Sequence, residues 1–228
     1  MRLYIADTEQ LAAGELFDEL FRWVSPVRQK KIMALKFSRG KRLSLGAGVL
    51  LKLALADEGV DYASVRFSYG EQGKPYLADS PHLHFNLAHS GTMALCAVAP
   101  QSVGCDVEQI APLNENVALR FFHPSEYAAL AALEGEEARR KFFFRLWTLK
   151  ESFRKMTGLG LSLPLDEYPL EFSSAGRPLP QDFNGARCYF QEYDNITGYR
   201  VAVCSPIEDF PPQPRLVDLR EVKISGLM

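Results

Sequence analysis

The sequence predicts an α+β fold built from two similar halves, and three observations carry that prediction. The first is an internal echo. Val65-Arg66-Phe67-Ser68 leads to Gly73-Lys74-Pro75-Tyr76-Leu77, and Leu170-Glu171-Phe172-Ser173 leads to Gly176-Arg177-Pro178-Leu179. The second is that each echo runs into an apolar strand closed by proline, Ala97-Val98-Ala99-Pro100 and Val201-Ala202-Val203-Cys204-Ser205-Pro206. The landmarks Phe67/Phe172, Pro75/Pro178 and Pro100/Pro206 lie 105, 103 and 106 residues apart. A near-constant offset suggests a duplicated unit, with chance recurrence of Gly-basic-Pro turns as the alternative. The third is that helical stretches precede each echo, so helices followed by antiparallel strands occur twice.

Met1 to Asp7 reads as a first strand. It lacks a secretory apolar core and carries an acid at position seven, which suits a soluble cytoplasmic protein. Ser25-Pro26 opens a helix with proline at a first helical position, and a second helix follows near 41–58. The apolar segment 93–99 is a strand, and Gly104 to Glu108, after a short turn, reads as its hairpin partner. The boundary between the halves falls between Pro100 and Gly104, giving 1–102 and 103–228. In the second half His123-Pro124 opens the matching helix, and 136–157 is the matching long one. Gly158-Leu159-Gly160 reads as its C-terminal stop. The tail holds Pro211, Pro212 and Pro214 and is expected to run extended over the surface.

Composition narrows the function. The 228 residues are 47% apolar and 24% charged, enough for a buried core without staples. A net charge of -2 argues against a general nucleic-acid binder. The longest apolar run, Leu43 to Ala56, is broken by Lys52, so no membrane span is expected. Cys96, Cys105, Cys188 and Cys204 lack metal-ligand spacing and read as buried thiols.

Several residues could carry chemistry. Asp106 and Glu108 share one face of a strand, about 6–7 Å apart along it. Like charges so placed either lie on an exposed edge or share a divalent cation, and hard oxygen ligands suit Mg²⁺. On the helix at 136–157, Phe142, Leu146, Leu149 and Phe153 form one apolar stripe. Glu151 and Lys155 lie almost opposite it, flanked by Phe144 and Trp147. They face other protein or a ligand, or they form a simple surface ion pair. Glu126 follows His123 by three residues, where a carboxylate serves a helix start. His89 sits just before the strand at 93–99, and a structural histidine is its plain alternative. His82 and His84 share a strand face, with no third ligand nearby in sequence. Residues 28–42 hold Arg28, Lys30, Lys31, Lys36, Arg39, Lys41 and Arg42 with no acid, a patch for phosphates, for an acidic protein surface, or simply a solvated face. Phosphate-loop, dinucleotide-fold, zinc-protease and serine-hydrolase motifs are missing.

Together these pieces resemble the 4′-phosphopantetheinyl transferases of the surfactin-synthetase-activating (Sfp-like) type. Phe85-Asn86-Leu87-Ala88-His89-Ser90 is similar to the family's F-N-x-S-H-S motif, and Gly104-Cys105-Asp106-Val107-Glu108 to its G-[ILV]-D-[ILV]-E motif. Trp147-Thr148-Leu149-Lys150-Glu151-Ser152-Phe153-Arg154-Lys155 is similar to its W-x-x-K-E-[SA]-x-x-K block. Ala88 and Cys105 depart from the pattern. The first would remove a hydroxyl contact to coenzyme A, and the second is a buried swap.

The resemblance implies a pseudo-twofold pair of α+β halves with the active site in the cleft between them. Residues 1–102 would bind coenzyme A, and 103–228 would bring the metal and catalytic residues. It implies transfer of phosphopantetheine from coenzyme A to a serine of an apo acyl or peptidyl carrier protein, releasing adenosine 3′,5′-bisphosphate. Asp106, Glu108 and Glu151 would hold Mg²⁺. Arg28, Lys31 and Arg42 would meet the 3′-phosphate end, with Gly73, Lys74 and Pro75 near the adenine. His89 and Lys155 would contact the pyrophosphate. Glu151, or a water held by Glu126, would serve as base. A Mg²⁺-dependent pyrophosphatase and a non-catalytic binder of coenzyme A or carrier protein are the competing readings. Internal duplication suits a monomer.

Overall fold

The structure is a computed structural model and describes residues 1–222. The first half runs β1 (Arg2–Asp7), α1 (Gly14–Trp23), α2 (Pro26–Met33), α3 (Ser38–Asp57), the short hairpin β2 (Phe67–Tyr69) and β3 (Pro75–Leu77), then β4 (His84–Ser90) and β5 (Met93–Ala99). The second runs β6 (Gly104–Gln109), α4 (Glu115–Phe121), α5 (Pro124–Ala131), α6 (Glu136–Thr157), β7 (Gln181–Phe183), β8 (Ala186–Tyr193) and β9 (Tyr199–Ser205), and β10 (Arg215–Leu216) follows. The echo has a structural counterpart. Phe67 and Leu77 pair across the first hairpin, and Phe172 and Pro178 form an isolated antiparallel bridge in the second half.

The helix starts follow from local chemistry. The Ser25 hydroxyl accepts from Arg28 N at 3.3 Å, with Pro26 just inside the helix. His123 and Glu126 form a reciprocal capping box on α5. Helix α6 ends where Gly158 adopts φ of 75°, a left-handed turn that suits glycine.

Two four-stranded sheets result, ordered β10-β1-β5-β4 and β6-β9-β8-β7. Strand alternation sorts each sheet into a helix face and a sheet face. Tyr4, Ala6, Ala94 and Cys96 pack with α3 residues such as Leu50 and Leu51. On the opposite face Leu3, Ile5, Leu95 and Ala97 meet Cys105, Val107, Val201 and Val203 of the second sheet. Ala202 then packs with Leu146 and Leu149 of α6. The layers are helix, sheet, sheet, helix.

Three expectations are corrected. Gly104–Gln109 is not the hairpin partner of 93–99. It pairs antiparallel with β9 and belongs to the other sheet, because the short link at 100–103 crosses between sheets instead of turning back. The tail does not simply run over the surface. Its residues 215–216 add a parallel strand to β1, and Val217 and Leu219 are buried in the first half's core. His82 lies in the turn before β4, so it shares no strand face with His84.

Candidate functional site

The edges of β4 and β6 lie side by side, and side chains join them. Asn86 Oδ1 accepts from Cys105 N at 2.9 Å. The Ser90 hydroxyl donates to Glu108 Oε2 at 2.7 Å and accepts from Gln109 N at 3.1 Å. Residues 86, 88 and 90 therefore face the second half, while His89 points the other way and is exposed. Ala88 is buried among the inter-sheet residues. A hydroxyl at this position would face that core.

Asp106 and Glu108 project from the helix face of β6 toward α6, and Gly104 sets how close the two elements come. A Cβ on Gly104 would stand 2.0 Å from the Ser152 carbonyl oxygen and 2.3 Å from Met156 N. Both are backbone atoms, so the motif glycine is required by packing. That approach brings Lys155 Nζ to 2.6 Å from Asp106 Oδ1. Asp106 Oδ2 is buried and has no partner. Burial pushes the Asp106 carboxyl up to about 7, Lys155 opposes this, and Glu108 and Glu151 add to it. Burial also raises Glu108, against the Ser90 hydrogen bond. For Lys155 burial favours the neutral amine, yet the Asp106 contact outweighs it and holds the ammonium above its usual range. The protein packed around the inner part of the His89 ring lowers it although its outer edge stays exposed, with the charges of Lys155 and Arg28 acting in the same direction.

A hollow of about 250 Å³ opens at this junction, bordered by Gly73, Lys74 and Pro75 from the first half and Glu151, Arg154 and Lys155 from the second. A smaller recess containing Arg28 and Lys31 shares Pro75 with it. The larger 670 Å³ cavity around Trp23, Lys52 and Tyr62 borders this recess but holds none of the three acids. The structure thus brings Asp106, Glu108, Glu151 and Lys155 together, with Gly73 and Pro75 at the hollow and Arg28 and Lys31 in the adjoining recess, while His89 lies on the other face of β4.

Three expected site residues are otherwise engaged. Lys74 Nζ donates to the carbonyls of Val103 (3.1 Å) and Met156 (3.0 Å), so it ties the first half to the C-terminal end of α6. Glu126 accepts from His123 N and Leu170 N and pairs with the buried Lys150 at 3.0 Å. It holds the α5 start, α6 and the 165–170 segment together, and both its oxygens are spent. Arg42 pairs with Glu9 at 2.7 Å and lines neither hollow. Sequence reasoning gave no role to Ser90 or to Arg154, which donates to Glu151 Oε1 at 2.5 Å. Arg154 could have been flagged by its i, i+3 spacing from Glu151.

Among the described residues no three His, Cys, Asp or Glu side chains stand arranged as a finished metal cage. Lys155 and Arg154 are the cations on Asp106 and Glu151. The donor set still fits a hard divalent ion, because a buried carboxylate oxygen lacks any partner and two further carboxylates raise its proton affinity.

Residues 12–101 match the family model for the 4′-phosphopantetheinyl transferase N-terminal region, and residues 102–204 match that of the 4′-phosphopantetheinyl transferase superfamily. The chain is 32% identical over 226 residues to 4′-phosphopantetheinyl transferase Sfp of Bacillus subtilis (strain 168), covering 97% of this chain and 100% of that one. It is 35% identical over 202 residues to a further 4′-phosphopantetheinyl transferase of Bacillus subtilis, covering 88% and 89%. A third relative, 4′-phosphopantetheinyl transferase ffp of Bacillus subtilis, is 33% identical over 215 residues, covering 92% and 95%.

Proposed function

The chain belongs to the Sfp-like 4′-phosphopantetheinyl transferases, and on that footing we propose that it transfers the phosphopantetheine arm of coenzyme A to a serine hydroxyl of an apo acyl or peptidyl carrier protein. The observation that carries the reading is the junction itself, where a buried Asp106 with one unpartnered oxygen lies against Lys155 beside Glu108 and Glu151.

Arg28 and Lys31 supply charge for the nucleotide end, and Gly73 and Pro75 border the space between them and the acids. Asp106, Glu108 and Glu151 would hold Mg²⁺, which when bound neutralises the pyrophosphate. Lys155 adds a fixed positive charge where negative charge builds up on the leaving phosphate. His89, which the charges of Lys155 and Arg28 reach, would contact the pyrophosphate from the other face of β4. Glu151 takes the proton of the serine hydroxyl as its oxygen attacks the phosphorus bearing the pantetheine arm. The bond from that phosphorus to the bridging oxygen breaks, and adenosine 3′,5′-bisphosphate leaves. Glu126 is left out of this scheme because its oxygens are already engaged.

The two halves within one chain support a monomer. No helix among the described residues is long and apolar enough to cross a membrane, and four free thiols suit the cytoplasm. The test is an intact-mass assay with coenzyme A, Mg²⁺ and an apo carrier protein. A gain of one phosphopantetheine that EDTA abolishes is expected. Release of adenosine 3′,5′-bisphosphate with no gain on any acyl or peptidyl carrier would overturn the transfer step.

A further inference from the structure

The basic run at 28–42 is larger than the nucleotide end of this reaction uses. Of its seven cations, Arg28 and Lys31 line the recess beside Pro75, and Arg42 pairs with Glu9. Lys30, Lys36 and Lys41 have no ion pair among the described residues. Between these cations the chain exposes Met33 (61%), Leu35 (38%) and Phe37 (71%). The fold has no task for these three. Helix α2 buries Ile32, and α3 enters the core from Leu43 onward. An aromatic side chain left in water at a helix start and ringed by unpaired cations has the make-up of a binding anchor.

Its place follows from one hydrogen bond. Arg39 Nε donates to the Gly91 carbonyl oxygen at 2.9 Å. Gly91 follows His89 and Ser90, and Ser90 holds Glu108. The apolar and basic segment thus stands at the rim of the site, beside the turn between β4 and β5. A protein bringing a serine into the hollow must cover the rim.

We infer that residues 30–41 form a docking surface for the apo carrier protein, with Phe37, Leu35 and Met33 as the apolar anchor. The complementary face of the carrier carries acidic side chains around an apolar patch close to its acceptor serine. This rests on the transferase reading. The charges steer encounter and make binding salt-dependent, while Phe37 slows dissociation.

The test uses the full chain with a peptidyl and an acyl carrier protein; modification is read on the unaltered carriers, and binding on carriers whose acceptor serine is replaced by alanine. Phe37→Ala is expected to weaken carrier binding about tenfold, and the double variant Lys30→Glu/Lys36→Glu by a similar factor with a flatter salt dependence. Coenzyme A affinity and the melting temperature stay at wild-type values, since all three side chains are exposed. Unchanged carrier affinity in both variants, with the wild type binding and modifying the carrier, overturns the docking surface and leaves the transferase reading standing. Parallel loss of coenzyme A affinity also overturns it, by placing these residues in the nucleotide site. A wild type that binds and modifies neither carrier overturns both.

Discussion

The two halves place different chemistry at the same scaffold positions. In β1 Tyr4 pairs with Cys96, and in β6 Asp106 pairs with Ala202, so Tyr4 and Asp106 occupy matching places in the registers β1·β5 and β6·β9. Counted from the helix starts at Ser38 and Glu136, Asp57 matches Lys155 and Leu53 matches Glu151. The first half closes this strand-to-helix link with a Tyr4 Oη to Asp57 hydrogen bond of 2.8 Å, and Arg215 adds a contact to the same carboxylate. The second half makes the link with Lys155 and Asp106, then leaves one Asp106 oxygen buried and unpartnered. Where the second half has Glu108, the first has Ala6. One half closes the link with a satisfied hydrogen bond, and the other leaves a buried carboxylate oxygen without a partner.

The sharpest way to break this comparison is Asp106→Asn against Tyr4→Phe. Asp106→Asn is expected to lower transfer by at least about 100-fold, with the fold retained, since the amide oxygen can still accept from Lys155. Tyr4→Phe is expected to leave the rate unchanged and to cost about 1 kcal/mol, one hydrogen bond. Steady-state rates and thermal melts on both variants check this; equal rates for the two would break it. The next largest effect concerns the matched lysines. Lys52 donates to the Trp23 carbonyl and lies over the Trp23 ring, half-buried. Lys150 is fully buried on Glu126 and two carbonyls. Lys150→Met should cost about 3–5 kcal/mol by stranding the Glu126 charge, and Lys52→Met far less, as read by urea denaturation.

Gly104→Ala sharpens the comparison at the strand itself. The overpacking against α6 should cost about 1–3 kcal/mol and lower the transfer rate by displacing Asp106; a wild-type denaturation midpoint and rate would refute the close-approach argument. The smallest effect is a pH dependence at the tie between halves. Burial pulls Lys74 down to about 8, against about 10.4 in an unfolded chain. The folded chain then binds fewer protons between those values, so the contribution of Lys74 to stability rises with pH across that window. The stability gap between wild type and Lys74→Met should widen between about pH 7.5 and about pH 9.5 in urea titrations. A gap that narrows would show that Lys74 is not desolvated.

Much of the fold was legible where local chemistry decides it. Ser25-Pro26 and His123-Pro124 mark helix starts because a cap and a pre-set φ act within one turn. The acids on β6 and α6 were legible because strand and helix periods place them. Pairing between distant segments was not. Gly104–Gln109 looked like the second arm of a hairpin because its true partner, β9, comes about ninety residues later, and periodicity carries no information about which strand pairs with which. Lys74 and Glu126 looked available because nothing near them in sequence names the carbonyls, amides and ammonium that occupy them. Ser90 stood in a motif without a role for the same reason, since its partner Glu108 belongs to the other half.

The strand β10 has a consequence for how the protein is made. Strand β1 leaves the ribosome roughly two hundred residues before its outer neighbour. At about 5–20 residues per second, that is an interval of about ten to forty seconds. Through it the outer edge of β1 has no partner, and an open edge is a template for wrong pairing. Val217 and Leu219 join the first half's core only after the strands of the second half have been made, so of the two halves the one made first is completed last.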